Sequence, residues 1–226
     1  MNLETIDWAD LELRPAETLR GEAPNDWSDF QLKLGRPVVL EARKYFKDAE
    51  TKDQAIELLK NESDFFYIRI PVSVKPSQQW GVGLLGVSID LTNPQGDAEA
   101  WSMMPERVDD EQKLSISAKL SPSLKFSKAE LSLGAVEAGS QFVAYQPHVY
   151  AYNLGTNNPA WEFTPTSGHQ VRGIQLLHLV VRQPRKSQTK GKMHVTVELK
   201  RAGGLIWRLL GYRKGQTEEH VDFDIP

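Results

Sequence analysis

Phe65-Phe66-Tyr67-Ile68-Arg69-Ile70-Pro71-Val72-Ser73-Val74-Lys75 sets the pattern by which most of the chain can be read. Phe66, Ile68, Ile70, Val72 and Val74 recur at every second position, the period of a strand whose two faces meet different surroundings. The same beat returns in Leu85, Val87, Ile89 and Leu91, in Met193, Val195, Val197 and Leu199, and in Val221, Phe223 and Ile225. Leu114, Ile116, Ala118 and Leu120 form a further row, with Lys113, Ser115, Ser117 and Lys119 on its wet face. Ile174 to Val181 is apolar at nearly every position and Phe142 to Tyr152 has aromatics on both faces, so both read as central strands. Asn93-Pro94-Gln95-Gly96, Gly155-Thr156-Asn157-Asn158-Pro159 and Pro184 to Gly191 are the turns between them. Many short strands punctuated in this way predict a mainly β fold, an antiparallel β-sandwich, rather than alternating β and α units.

Upstream of Phe65 the pattern changes. Thr51 followed by Gln54 has the spacing of a capping box, and Ala55, Ile56 and Leu59 share one helical stripe, which predicts a short α-helix over Lys52 to Asn61. Met1 to Asp29 is acidic, is interrupted by Pro15 and Pro24, and reads as an irregular lead-in docked through Trp8, Trp27 and Phe30. The expected organisation is an acidic lead-in with the helix over 1–64, packed on a sandwich body over 65–226, the whole forming one domain.

Composition narrows the class. The 226 residues are 40% hydrophobic and 25% charged, which suits a folded protein with a sizeable core, and the formal net charge is −3. No cysteine is present, which removes disulfides, thiolate metal sites and a cysteine nucleophile together. The acidic start lacks the basic and apolar regions of a secretory signal, and no apolar run nears the ~18 residues of a membrane-spanning helix. A cytoplasmic location is the expectation.

Motifs with chemical meaning fail on context. Gly81-Val82-Gly83-Leu84-Leu85-Gly86 has the letters of a dinucleotide fingerprint, but a strand pattern succeeds it where a helix is required, so it reads as a glycine-bearing strand with a bend or bulge. The five histidines, His148, His169, His178, His194 and His220, include no close pair able to hold zinc from one element. His178, inside the most apolar strand, reads as a core histidine, and His194 and His220 fall on wet faces. No nucleophile elbow or P-loop occurs. Asp109-Asp110-Glu111 and the pair Asp222 and Asp224 lack the spacing of a calcium loop. His148 and Glu162 flank Tyr145, Tyr150, Tyr152, Trp161 and Phe163, a mixture of carboxylate and aromatics found in carbohydrate-type sites, although a single Glu makes no catalytic pair. No cofactor and no metal is expected.

The most unusual segment lies late in the chain. Arg182, Arg185, Lys186, Lys190, Lys192, Lys200, Arg201, Arg208, Arg213 and Lys214 face only Glu198 between Arg182 and Gly215. Within it, an insertion at 202–217 holds an apolar patch that, if helical, puts Leu205, Ile206, Leu209 and Leu210 on one stripe needing cover. That cover is expected first from the protein's own body, by folding over an open end of the sandwich with the basic residues toward the acidic lead-in and the Asp109 region, and otherwise from a partner. Trp, Tyr and Arg are enriched at interface hot spots. The expectation is therefore a non-catalytic adaptor or scaffold that binds a protein partner through Leu205, Ile206, Trp207, Arg208, Leu209, Leu210, Tyr212, Arg213 and Lys214. The alternatives are a peripheral binder of anionic membrane surfaces using the same insertion, and an enzyme whose site gathers His148, Glu162, His169 and His178 from separate elements. Nucleic acid is a lesser expectation, since no reading module accompanies the basic residues.

Overall fold

The computed structural model describes residues 6–15, 29–42, 63–108, 148–166, 170–201, 206–213 and 220–226. Their elements are all strands: β1 Trp8–Pro15, β2 Gln31–Gly35, β3 Val38–Glu41, β4 Ser63–Lys75, β5 Trp80–Thr92, β6 Glu99–Met104, β7 Arg107–Val108, β8 His148–Tyr152, β9 Ala160–Thr164, β10 Gly173–Pro184, β11 Thr189–Arg201, β12 Ile206–Arg213 and β13 Val221–Ile225. The fold is thus mainly β, and each pairing between these strands is antiparallel. The helix expected over Lys52 to Asn61 and the alternating row Leu114 to Leu120 lie outside the described residues.

The strands run in the order β6-β10-β4-β2-β1-β12-β11-β5-β9-β8-β7, with β3 added to β4 and β13 to β11. β1 joins the two halves of this path. Trp8, Ala9 and Asp10 pair with β2, and Leu11 to Pro15 pair with β12. The acidic lead-in, read as irregular from its prolines, is therefore a strand over this stretch, and Pro15 falls at its last position, where a missing amide costs least. β6, at one end of the path, is bonded to the turn between β8 and β9 near the other end: Gly155 N–H donates to Ala100 O at 2.8 Å, and Ala100 N–H to Thr156 O at 2.8 Å. The sheet is nearly closed and barrel-like.

The alternating rows explain the interior. Ile68, Ile70, Val72 and Val74 of β4, Leu85, Val87, Ile89 and Leu91 of β5, and Met193, Val195, Val197 and Leu199 of β11 meet in one core. β10 is apolar on both faces because both are covered: Leu177, Leu179 and Val181 enter that main core, while Val180 joins Phe65, Tyr67 and Ala42 in a smaller cluster on the other side. β8 differs from the central strand expected of Phe142 to Tyr152. Val149 is buried, but Tyr152 stands 43% exposed, so its described part has one wet face.

The segment read as an insertion is β12, a strand between β11 and β1. Val197 pairs with Leu209, and Leu13 with Gly211. β11 pairs with Ile206–Leu210 and β1 with Leu209–Arg213, so both edges are taken at Leu209 and Leu210, and Leu209 is fully buried in the main core.

Candidate functional site

The surface with the densest polar and aromatic chemistry among the described residues is the outer face of β7, β8 and β9. Val149, Trp161 and Phe163 point into the core, so the alternate positions His148, Tyr150 and Tyr152 on β8, and Ala160, Glu162 and Thr164 on β9, face outward. Register aligns Arg107, Tyr150 and Glu162 across three adjacent strands. The Arg107 guanidinium lies 5.7 Å from the centre of the Tyr150 ring, and the Tyr150 and Tyr152 rings are 6.5 Å apart with a tilt of 34°. Desolvation, reinforced by a hydrogen bond to Glu162 and by its charge, raises the Tyr152 phenol pKa. Trp161 Nε1–H donates to Pro105 O at 3.1 Å and Ala151 N–H to Glu106 O at 2.8 Å, which fastens β7 to this ribbon.

On the same half, two imidazoles sit beside carboxylates. His194 Nε2 lies 3.1 Å from Asp90 Oδ2, His220 Nε2 lies 3.6 Å from Asp222 Oδ1, and the two rings are 5.7 Å apart. Both residues were expected simply to face water. The described residues contain no group of side chains arranged to hold a metal ion.

His178 occupies the other half. It is buried, as its apolar neighbours predicted, and its Nδ1 accepts the Tyr67 hydroxyl at 2.5 Å. Burial, reinforced by the Arg69 charge, lowers the imidazole pKa to about 4, and burial raises the Tyr67 phenol to about 12. Both groups are therefore neutral at ordinary pH, with tyrosine as donor and the unprotonated ring nitrogen as acceptor. Of the four residues named for an enzyme site, His148 and Glu162 share one outer face as diagonal neighbours, His178 lies in the opposite half, and His169 lies outside the described residues.

Glycines at 81, 83 and 86 lie within β5, with no helix after them. The pairing with β11 shifts opposite Gly83, between Glu198 paired with Leu84 and Leu199 paired with Val82, which is a bulge at that glycine. Gly86 leaves room for the Thr196 hydroxyl, which a Cβ there would meet at 2.5 Å.

Of the residues expected to bind a partner, Ile206, Trp207, Arg208, Leu209, Leu210, Tyr212 and Arg213 form β12, and Leu205 and Lys214 lie outside the described residues. The basic run around them does not make one patch. Arg182 pairs with Glu99 at 2.7 Å and lies over Trp101 at 5.0 Å. Register sets Lys190 opposite Asp224, and Lys192 between Asp90 and Asp222. Charges adjacent in sequence are thus shared among strands that bring acids to meet them.

No family model and no curated protein matches the sequence. Solved structures similar over 97% of this chain include one described as "Pore forming protein", 8% identical with a TM-score of 0.36 and 90% of its own chain covered. Another is the NetB toxin of Clostridium perfringens in its membrane-inserted form, 6% identical with a TM-score of 0.35 and 94% of its chain covered. Likenesses this distant assign the chain neither a family nor an activity. The expectation of a cytoplasmic adaptor or scaffold with a protein partner is corrected on the placement of the segment that motivated it. That segment is a strand, paired with β11 over Ile206–Leu210 and with β1 over Leu209–Arg213.

Proposed function

We propose that the protein inserts into membranes as an oligomeric β-barrel pore, with residues 113–127 supplying a spanning strand. One observation carries this reading. From Lys113 to Ser127 every odd position is Lys or Ser, and every even position is Leu, Ile, Ala, Pro or Phe. A strand in a water-filled barrel needs this division, one face toward lipid and the other toward the lumen. Fifteen residues at ~3.3 Å each extend ~50 Å, and a tilted strand crosses a bilayer with ~9–11 residues. Pro122 keeps the apolar phase but gives up one ladder donor.

Connectivity supports the same reading. The chain leaves β7 at Val108 and re-enters in β8 at His148, whose neighbour Val149 lies directly opposite Val108. An excursion that starts and ends on adjacent antiparallel strands has the connectivity of a hairpin, and Ala129, Leu131, Leu133 and Ala135 alternate with Glu130, Ser132 and Gly134 on the way back. Lipid offers no water to an unpaired strand edge, so one hairpin must close a barrel with those of other copies. That requirement is why the proposed pore is an oligomer. In the soluble form, the two halves joined by β1 are read as layers of a β-sandwich, with residues 1–64 packed on the 65–226 body in a single domain and β12 as an internal rib.

The absence of cysteine makes the test clean. Single cysteines at 114, 116, 118, 120 and at 113, 115, 117, 119 would each carry one environment-sensitive fluorophore. With vesicles that leak a trapped dye on addition of protein, probes at even positions should brighten and shift to the blue while those at odd positions change little. Absence of leakage, or a response without alternation, would refute the proposal.

A further inference from the structure

We infer that the outer face of β7, β8 and β9 is a binding surface for neutral carbohydrate, with Tyr150 and Tyr152 as the stacking platform and Glu162 as the acceptor of sugar hydroxyls. Tyr152 and Leu154 are two of the three large hydrophobic residues left exposed among the described residues, at 43% and 48%. They sit at the end of β8 on a turn that is braced rather than loose. Asn153 Nδ2–H donates to Asn158 O at 2.9 Å, Thr156 Oγ1–H donates to Asn153 O at 2.8 Å, and Asn158 N–H donates to Thr156 Oγ1 at 3.2 Å. Gly155 and Thr156 are also tied to Ala100. Asn153 adopts a left-handed backbone with φ of 62° within this network, a strained conformation that persists only where its surroundings enforce it. The aromatic platform is therefore held out to water by a rigid support, which lowers the entropy lost when a ligand is bound.

The chemistry of the face selects the ligand. Tyrosine rings offer apolar faces and polar edges together, which suits the C–H faces and hydroxyl rims of a pyranose. Glu162 lies in register with Tyr150 and bonds Tyr152, so a carboxylate acceptor stands at the edge of both rings. Ala160, Ser88 and Gly86 continue the face across β9 and β5, and these small residues leave the rings without tall neighbours on that side. A quaternary ammonium would also favour tyrosines beside a carboxylate, but the Arg107 guanidinium, 5.7 Å from the centre of the Tyr150 ring, would repel a second cation there. Arg107 and Glu162 together leave the row without net charge, which favours a neutral ligand over an anionic or cationic one.

The test uses the full chain with carbon-13-labelled tyrosine, titrated with the methyl glycosides of glucose, galactose, mannose and N-acetylglucosamine, and with choline chloride. At least one glycoside should shift the Tyr150 and Tyr152 ring signals saturably, and choline should not. Glu162→Gln should weaken that binding about tenfold, the effect of one lost charge-assisted hydrogen bond. Tyr152→Ser should abolish it while keeping the unfolding midpoint, because that ring stands in water. No shift with any glycoside, a saturable response to choline instead, or sugar binding that survives Tyr152→Ser would each overturn the inference.

Discussion

Lowering the pH from 7 to 4 should destabilise the folded chain by about 3 kcal/mol through one side chain, His178. Its imidazole is held at about 4 in the folded state, against ~6.5 in an unfolded chain. A histidine with a depressed folded pKa contributes its full share of stability above the unfolded value and loses it as pH falls toward the folded one. At ~1.4 kcal/mol per pKa unit the gap amounts to roughly 3 kcal/mol in the acid limit. Two-state linkage puts about 1 kcal/mol of the loss by pH 5.5 and nearly all of it by pH 4. Protonation also turns Nδ1 from acceptor to donor, which breaks the bond from the Tyr67 hydroxyl. Urea unfolding followed by tryptophan fluorescence at a series of pH values measures this directly, with His178→Gln as the comparison, since its amide oxygen still accepts from Tyr67 but does not titrate. The variant should lose about 3 kcal/mol less than the parent between pH 7 and 4. Equal pH slopes for the two proteins would show that His178 is not the buried, neutral acceptor described.

Two further perturbations test the packing. Leu209→Ala should cost about 2–5 kcal/mol, since this side chain is fully buried in the main core; a loss below about 1 kcal/mol in urea unfolding would mean that β12 is not an internal strand. Gly191→Ala would drive a Cβ into the Phe223 ring, so it should cost about 1–3 kcal/mol by overpacking and raise amide exchange in β13. Adding Phe223→Ala should recover part of that loss, and strict additivity in the double-mutant cycle would contradict the contact.

Much of the fold is legible because its rows are regular. Phe66 to Val74, Leu85 to Leu91 and Met193 to Leu199 announce strands at period two, and those stretches lie in β4, β5 and β11. The continuous run Ile174 to Val181 was readable as a strand apolar on both faces, and it is buried from Leu177 to Val181 while Ile174 stands 45% exposed. The glycines of β5 were separable from a nucleotide loop by the alternating run Val87 to Leu91, which continues a strand where a phosphate loop would open a helix. The segment Ile206 to Arg213 was not legible. Its apolar residues cluster instead of alternating cleanly, and short apolar runs fit a helix or a strand equally well until their neighbours are known. The outer face of β8 and β9 was half legible: the sequence shows aromatics near Glu162 and His148, but Arg107 is remote in the chain and enters only through pairing with Tyr150.

By itself the sequence determined the strand character of the body, the absence of any cysteine chemistry and the alternating stretch from Lys113 to Ser127, because these depend on composition and on a period of two residues. Tertiary structure alone decided that Leu11 to Pro15 and Leu209 to Arg213 lie side by side, that Lys190 and Lys192 stand in register with acids of other strands, and that Tyr67 hydrogen-bonds the ring of His178. Those contacts join residues far apart in the chain. Periodicity tells each strand which face to bury, but not which strand will lie beside it.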